Sequence, residues 1–292
     1  SSETRAQEHA NLALGSLGLN NTDNQVQITQ MLIELLTNGT EAAQERAARA
    51  LWGLREANPN AHEAIARAGN PEKLVELLKH GIPDAKDYAL WSLSLSISTD
   101  NQSTVAESGG VQPLIDQLGD ARTVNQEQAA AAIAKLAHDN EETRAAVTKL
   151  AGVKPLIGLL EASGSAASEV GAASEAGASS GRGVSSGGGT SSETALQNAA
   201  DALANLAVDP AARDEIVASG GIDPLVALLT DQGPSTKKYA ASALARLSKD
   251  HEATQLAVAA AGAIVPLVAL LDGNEGPDAQ EASAGAILEL AS

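Results

Sequence analysis

Cysteine and phenylalanine are both missing from the chain, while tryptophan and tyrosine occur twice each and methionine once. Without cysteine there is no disulfide, thiolate nucleophile, cysteine-ligated zinc or iron–sulfur cluster. Long apolar runs are missing too. No stretch approaches the roughly 20 residues that a bilayer-spanning helix needs, and no basic-then-apolar opening reads as a signal peptide. Positive charge is scarce, with 19 Lys and Arg against 37 Asp and Glu and a formal net charge of −18. That balance repels nucleic acid and anionic lipid, because attraction to either depends on Lys and Arg meeting phosphate. The expectation is therefore no nucleic-acid partner, no membrane insertion, and an intracellular setting, cytoplasmic or nuclear. The histidines His9, His62, His80, His138 and His251 form no i, i+4 pair, and neither HExxH nor Gly-x-Ser-x-Gly occurs. A non-enzyme without cofactor or metal is expected.

The apolar residues that are present recur. One six-residue phrase appears as MLIELL at 31–36, KLVELL at 73–78, PLIDQL at 113–118, PLIGLL at 155–160, and PLVALL at 224–229 and 266–271. The steps are 42, 40, 42, 69 and 42 residues, so a single period persists, with about 27 extra residues in one gap. A second phrase keeps the same beat: ALWGL at 50–54, ALWSL at 89–93, AIAKL at 132–136, ALANL at 202–206, ALARL at 243–247 and AILEL at 286–290. A period near 40 built of helical patterns is what stacked helical repeats require, since one unit cannot bury its own apolar face.

Asp209 to Gly233 shows the local grammar. Asp209 before Pro210 is a helix start, with a carboxylate to cap free N–H groups and a proline suited to the first helical position. Ser219, Gly220 and Gly221 break that helix, because glycine accepts the left-handed backbone that ends it. A second helix opens at Pro224, and Gly233-Pro234 closes it and begins a third, the longest of the unit. Every unit is expected to divide at the same places. On the third helix, Ala199, Ala202, Leu203 and Leu206 share one face, while Gln197, Asp201 and Asn205 form a line opposite, expected to face solvent or a ligand.

This unit of about 42 residues, with GGIDPLVALL at 220–229 and ALANLA at 202–207, resembles the armadillo repeat. The resemblance implies an all-α fold, a right-handed α-solenoid (an alpha-alpha superhelix) of three-helix repeats whose third helices line a concave groove. It also implies binding of an extended peptide or a partner protein in that groove. One array over 1–292 is expected, from the third helix of a partial repeat at 3–19 to a last third helix at 278–291, with a flexible Gly/Ser/Ala-rich loop inserted at 162–192.

Importin-alpha-like members carry Trp and Asn four apart along the groove. Here the Asn positions fall on Ser16, Gly53, Ser92, Lys135, Asn205, Arg246 and Glu289, and the Trp positions on Leu12, Arg49, Tyr88, Ala131, Asp201, Ser242 and Gly285. Only Asn205 matches, so an import-adaptor ladder is absent. One turn earlier lie Glu8, Glu45, Asp84 and Glu127, four acids on one stripe that could pair with Lys or Arg of an extended chain. The bland alternative is that acids simply complement the helix dipole. Trp52, Tyr88 and Trp91 fall off the apolar stripe on adjacent repeats. They are expected either to anchor a partner or to pack against the next third helix. The candidate partner-binding set is therefore Glu45, Arg49, Trp52, Tyr88, Asp84, Trp91, Glu127 and Asn205. Two other readings stay open: a structural subunit held in an assembly by its ends and convex face, with flanking subunits or repeats, or the substrate-recruiting arm of a larger enzyme.

Overall fold

The computed structural model describes residues 22–57, 68, 70–169, 191–230, 232–272 and 275–292, and among them every regular element is a helix. The chain divides into two compact units, 1–117 and 118–292. The expected third helix at 3–19 and the middle of the expected insertion, 170–190, lie outside the described residues.

The N-terminal unit contains α1 (Thr22–Asn38), α2 (Glu41–Ala57), α3 (Pro71–His80), α4 (Pro83–Ser96), α5 (Gln102–Glu107) and α6 (Val111–Leu118). The C-terminal unit contains α7 (Thr123–Ala137), α8 (Glu141–Lys149), α9 (Val153–Glu169), α10 (Ser191–Leu206), α11 (Pro210–Ala218), α12 (Ile222–Ala227), α13 (Pro234–Ser248), α14 (Glu252–Ala260), α15 (Ile264–Leu270) and α16 (Pro277–Leu290). Third helices are thus α2, α4, α7, α10, α13 and α16. The last of them starts and ends one residue earlier than the expected 278–291.

Helix starts and stops follow the local chemistry. Side chains of Asn70, Asn140 and Asp209 each accept a hydrogen bond from the backbone N–H three residues on, at 3.2, 2.9 and 3.0 Å. Such a cap satisfies a donor that the helix leaves bare, for about 1 kcal/mol. The break between first and second helices passes through a left-handed residue: Gly109, Ala151, Gly220 and Gly262, at φ 72°, 56°, 77° and 85°. Ala151 holds that geometry despite its Cβ. The glycine after Gly220 has a different reason to be glycine, since a Cβ on Gly221 would meet Ile216 Cγ2 at 2.7 Å and Ile157 Cδ1 at 3.1 Å.

Two expectations are corrected. The first described repeat does not break between first and second helices, because LNNTDNQVQITQ offers no Ser-Gly-Gly stop, and α1 runs unbroken for 17 residues. The insertion begins later than 162, because α9 continues to Glu169; the Ala/Ser-rich stretch after Glu161 contains no proline and enough alanine to carry the helix onward.

The recurring phrases form the core. Leu74, Leu114, Leu156, Leu225 and Leu267, the same letter of the first phrase, are fully buried, as are Leu90, Ile133 and Leu203 of the second. Burial of each such side chain contributes about 2 kcal/mol. In the C-terminal unit, buried Ala129, Ala130, Ala132, Ala199, Ala200 and Ala202 lie on α7 and α10, which pack together across the insertion. Alanine at these places lets the helix axes come close.

Candidate functional site

Within each unit successive third helices pack on one another, so the side chains that connect or flank them decide how much of their surface stays open. In the N-terminal unit, α2 and α4 meet through aromatic rings. The centroid of Trp52 lies 6.0 Å from Tyr88 in an edge-on arrangement and 5.7 Å from Trp91, and Tyr88 lies 6.0 Å from Trp91. The three expected aromatics are therefore brought together. They do not form an exposed patch: Tyr88 and Trp91 are buried and only Trp52 is half-exposed. The physical reason is that rings spaced one repeat apart on neighbouring helices bury more area against each other than either could against water. Of the two open possibilities, packing between third helices holds. The Tyr88 hydroxyl has no hydrogen bond of normal geometry among the described residues, and burial pushes the phenol well above its ordinary value against the pull of the Ser92 hydroxyl.

The charged members of the set stay at the surface of the same unit. Glu45 and Arg49 pair one turn apart on α2 at 3.6 Å, each about half-exposed, and Asp84 is exposed in the first turn of α4. An exposed pair of this kind contributes well under ~1 kcal/mol and is readily exchanged for another partner.

The C-terminal unit connects its third helices with polar side chains. Asn205 of α10 donates from Nδ2 to the Ala134 carbonyl of α7 at 3.1 Å and to Asp201 Oδ1 at 3.2 Å. Its Oδ1 accepts from Arg246 Nη1 of α13 at 3.0 Å, and the same Nη1 donates to the Ala204 carbonyl at 2.7 Å. Asn198 repeats the motif one end along, donating to the Glu127 carbonyl at 3.1 Å. Lys238 of α13 pairs with Asp278 of α16 at 2.8 Å, and Lys237 of α13 with Glu275, just before α16, at 2.7 Å. Asn205, expected on a solvent- or ligand-facing line, is only 6% exposed and spends its amide on its neighbours. The expectation fails because helices drawn together over alanine bring the neighbour's carbonyl within an amide's reach. Of the same line, Gln197 and Asp201 are half-buried. Burial raises the Asp201 carboxyl above its ordinary value, against the pull of Arg246, His138 and Lys238, while the hydrogen bond to Asp278 raises Lys238. Glu127 sits half-exposed on α7.

Arg246, at one of the Asn positions, lies outside the candidate set that the sequence suggests. The signal was available: Lys135, Asn205 and Arg246 are long donors at one repeated place, where α2 and α4 carry Gly53 and Ser92. Among the described residues no three His, Cys, Asp or Glu side chains converge as metal ligands, and no single helix is long and apolar enough to cross a membrane.

Helical triplets stacked on a shared apolar seam define a repeat solenoid, and the comparisons say which kind. The armadillo/beta-catenin-like repeat model matches residues 98–138 and 209–249. An engineered protein of known crystal structure is 28% identical over 90% of this chain with a TM-score of 0.67, and this chain spans 58% of that longer one. A designed armadillo repeat protein is 22% identical over 89% of this chain and 99% of its own, with a TM-score of 0.67. Another, solved in complex with the peptide (KR)4, is 22% identical over 89% of this chain and 98% of its own, with a TM-score of 0.64. No curated protein matches the sequence. Two stretches of the chain, 98–138 and 209–249, thus match the armadillo repeat, and the fold is that of the armadillo-repeat solenoid, an architecture suited to a scaffold that binds proteins or peptides.

Proposed function

We propose that the chain is a non-catalytic scaffold that binds an extended, Lys/Arg-containing segment of a partner protein along the third helices of its N-terminal unit. The observation that carries this reading is the exposed carboxylate at the same place on consecutive third helices, Glu45 on α2 and Asp84 on α4, with the half-exposed Trp52 about two turns beyond Glu45 on the same helix. Neighbouring packed helices lie roughly 10 Å apart and an extended chain advances about 3.3 Å per residue, so every third ligand side chain meets an acid. The Glu45–Arg49 pair is weak enough for an incoming lysine or arginine to displace Arg49. Trp52, half-exposed where it packs against Tyr88 and Trp91, is a side chain of the kind that anchors partners at interfaces. Asn205 and Glu127 belong to the other unit, and Asn205 acts there as a brace. The armadillo design in complex with (KR)4 supplies a related fold holding a ligand of this charge.

Fluorescence polarisation with labelled (KR)4 at several salt concentrations tests the reading. Glu45→Gln with Asp84→Gln should weaken binding roughly tenfold and flatten its salt dependence, and Trp52→Ala should weaken it further. Glu72→Gln with Glu141→Gln, the same charge change at exposed sites off this row, should leave it within about twofold. Equal loss in both pairs, or none in either, removes the assignment.

A further inference from the structure

The last repeat differs from the others in a way that its neighbours make measurable. Of the exposed large apolar side chains among the described residues, six lie here: Leu256 on α14, Ile264, Val265 and Val268 on α15, Leu271 just after it, and Leu288 on α16. Four of these positions continue the face on which one repeat rests against the next. Leu229 of the fifth repeat is 2% exposed beneath its successor, and its counterpart Leu271 is 43% exposed; Ile222 and Ile264 stand in the same relation. Val268 and Leu288 correspond to the half-buried Val226 and Ala245. On α15, positions 264, 268 and 271 fall on one helical stripe.

The remaining two positions are not explained by stacking. Val265, 78% exposed, aligns with Gln112, Lys154 and Asp223, all exposed. Leu256 aligns with Ser103, Ala145 and Asp214, also exposed. Earlier repeats leave these places in water and fill them with polar or small residues, whereas the last repeat fills them with branched apolar ones. A following armadillo repeat would cover the footprint of the first four and leave Val265 and Leu256 bare. The apolar surface is therefore wider than the one repeat-on-repeat stacking uses. Gln255 Nε2 donates to the Ser292 hydroxyl at 3.2 Å, tying α14 to the end of α16, so Leu256 and Leu288 each lie within about a turn of that contact.

Charge narrows the occupant. Beyond Lys249 the chain has no Lys or Arg and seven acids: Asp250, Glu252, Asp272, Glu275, Asp278, Glu281 and Glu289. Glu275 and Asp278 are taken by Lys237 and Lys238. Of the others, Asp272 and Glu289 are chain neighbours of Leu271 and Leu288, Glu252 lies one turn before Leu256 on α14, and Asp250, Glu252, Asp272 and Glu281 are exposed. Two copies meeting through this face would set like charges against each other. We propose that the outer face of the last repeat docks an amphipathic helix of a partner protein, its apolar stripe on Val265, Val268, Leu271, Leu256 and Leu288 and its flanks rich in Lys or Arg. A helix fits because helices cover the corresponding surface of the preceding repeat, side-chain ridges entering grooves. This site is separate from the α2/α4 row and survives if that reading fails.

The probe is a labelled peptide of about 18 residues with leucines at i, i+4, i+7 and i+11 and lysines on both flanks. Its controls are the same composition scrambled to break the stripe and a version with Glu for Lys. Leu256→Asp with Val265→Asp installs the residues the fifth repeat carries at these places, so helicity and melting should be preserved. The striped Lys peptide should bind the parent chain, and the scrambled peptide, the Glu peptide and the double variant should each lose about tenfold or more. Equal binding of striped and scrambled peptides, or no effect of the double variant, overturns the proposal. So does sedimentation showing a dimer of the chain that the double variant abolishes.

Discussion

In the N-terminal unit, Trp52 of α2 and Trp91 of α4 occupy the place that Ala134, Ala204 and Ala245 hold in the C-terminal unit. The next residue along each helix changes with them: Gly53 and Ser92 beside the tryptophans, Asn205 and Arg246 beside the alanines. Where the first position is a ring, rings fill the gap between third helices and the second position is too short to span it. Where the first is alanine, a long donor at the second position reaches the neighbour's carbonyl, at 3.1 Å for Asn205 to Ala134 and 2.7 Å for Arg246 to Ala204. Adjacent letters thus exchange a dispersive contact for a polar one, and only a concerted change preserves the joint. The consequence for recognition is direct, because the polar joint consumes the side chain that a groove would otherwise offer.

Trp91→Ala should do the most damage, removing a buried ring from a three-ring cluster at a cost of about 3–4 kcal/mol. Urea denaturation followed by circular dichroism measures it, and a loss under about 1 kcal/mol would show that the cluster is not what joins α2 to α4. Asn205→Ala should cost about 2 kcal/mol, since it takes away the donor that serves the Ala134 carbonyl and breaks three hydrogen bonds in a buried place. Both tryptophans of the chain sit in the N-terminal unit, so their fluorescence reports that unit alone. In Asn205→Ala the helical signal should therefore melt ahead of the fluorescence signal; coincident curves would mean the units do not unfold separately.

Tyr88→Phe should be neutral or stabilising by up to ~1 kcal/mol, because the lost hydroxyl is buried with no hydrogen bond of normal geometry. A clear destabilisation would reveal a partner for that hydroxyl. Smallest is Asp201→Asn. Burial holds the Asp201 carboxyl above its ordinary value, so the folded chain binds that proton more tightly than the unfolded one and gains stability as pH falls toward the unfolded value near 3.9. At neutral pH the variant should equal or slightly exceed the parent, and the difference should vanish on acidification. A deficit that persists at low pH would instead mark a hydrogen bond that only the carboxyl makes.

Period, helix order and core were legible because they are written in residues whose burial follows from helical geometry alone: Leu74, Leu114, Leu156, Leu225 and Leu267 needed only the 3.6-residue turn. Asp209 and Gly220 were legible for a similarly local reason, as a cap and a left-handed stop. The site was not. Whether Tyr88 faces water or Trp52, and whether Asn205 faces a ligand or the Ala134 carbonyl, depends on the gap between helices 39 or 71 residues apart, a distance no single helix encodes. The end of α9 was misjudged for another reason: an Ala/Ser stretch satisfies helix and loop composition alike.

The brace from Asn205 to Ala134 joins α7 to α10 without using any residue between Glu169 and Ser191. Because that joint uses none of those residues, it should outlast a change in their number. The chain is therefore open to surgery there: new termini introduced between Glu169 and Ser191, with the original ends joined by a linker long enough to bridge them, should yield a circular permutant that still folds. Two separately expressed pieces cut at the same point should find each other through the alanine seam. An inserted foreign domain would ride on the same connection, which makes it a natural attachment point for a reporter.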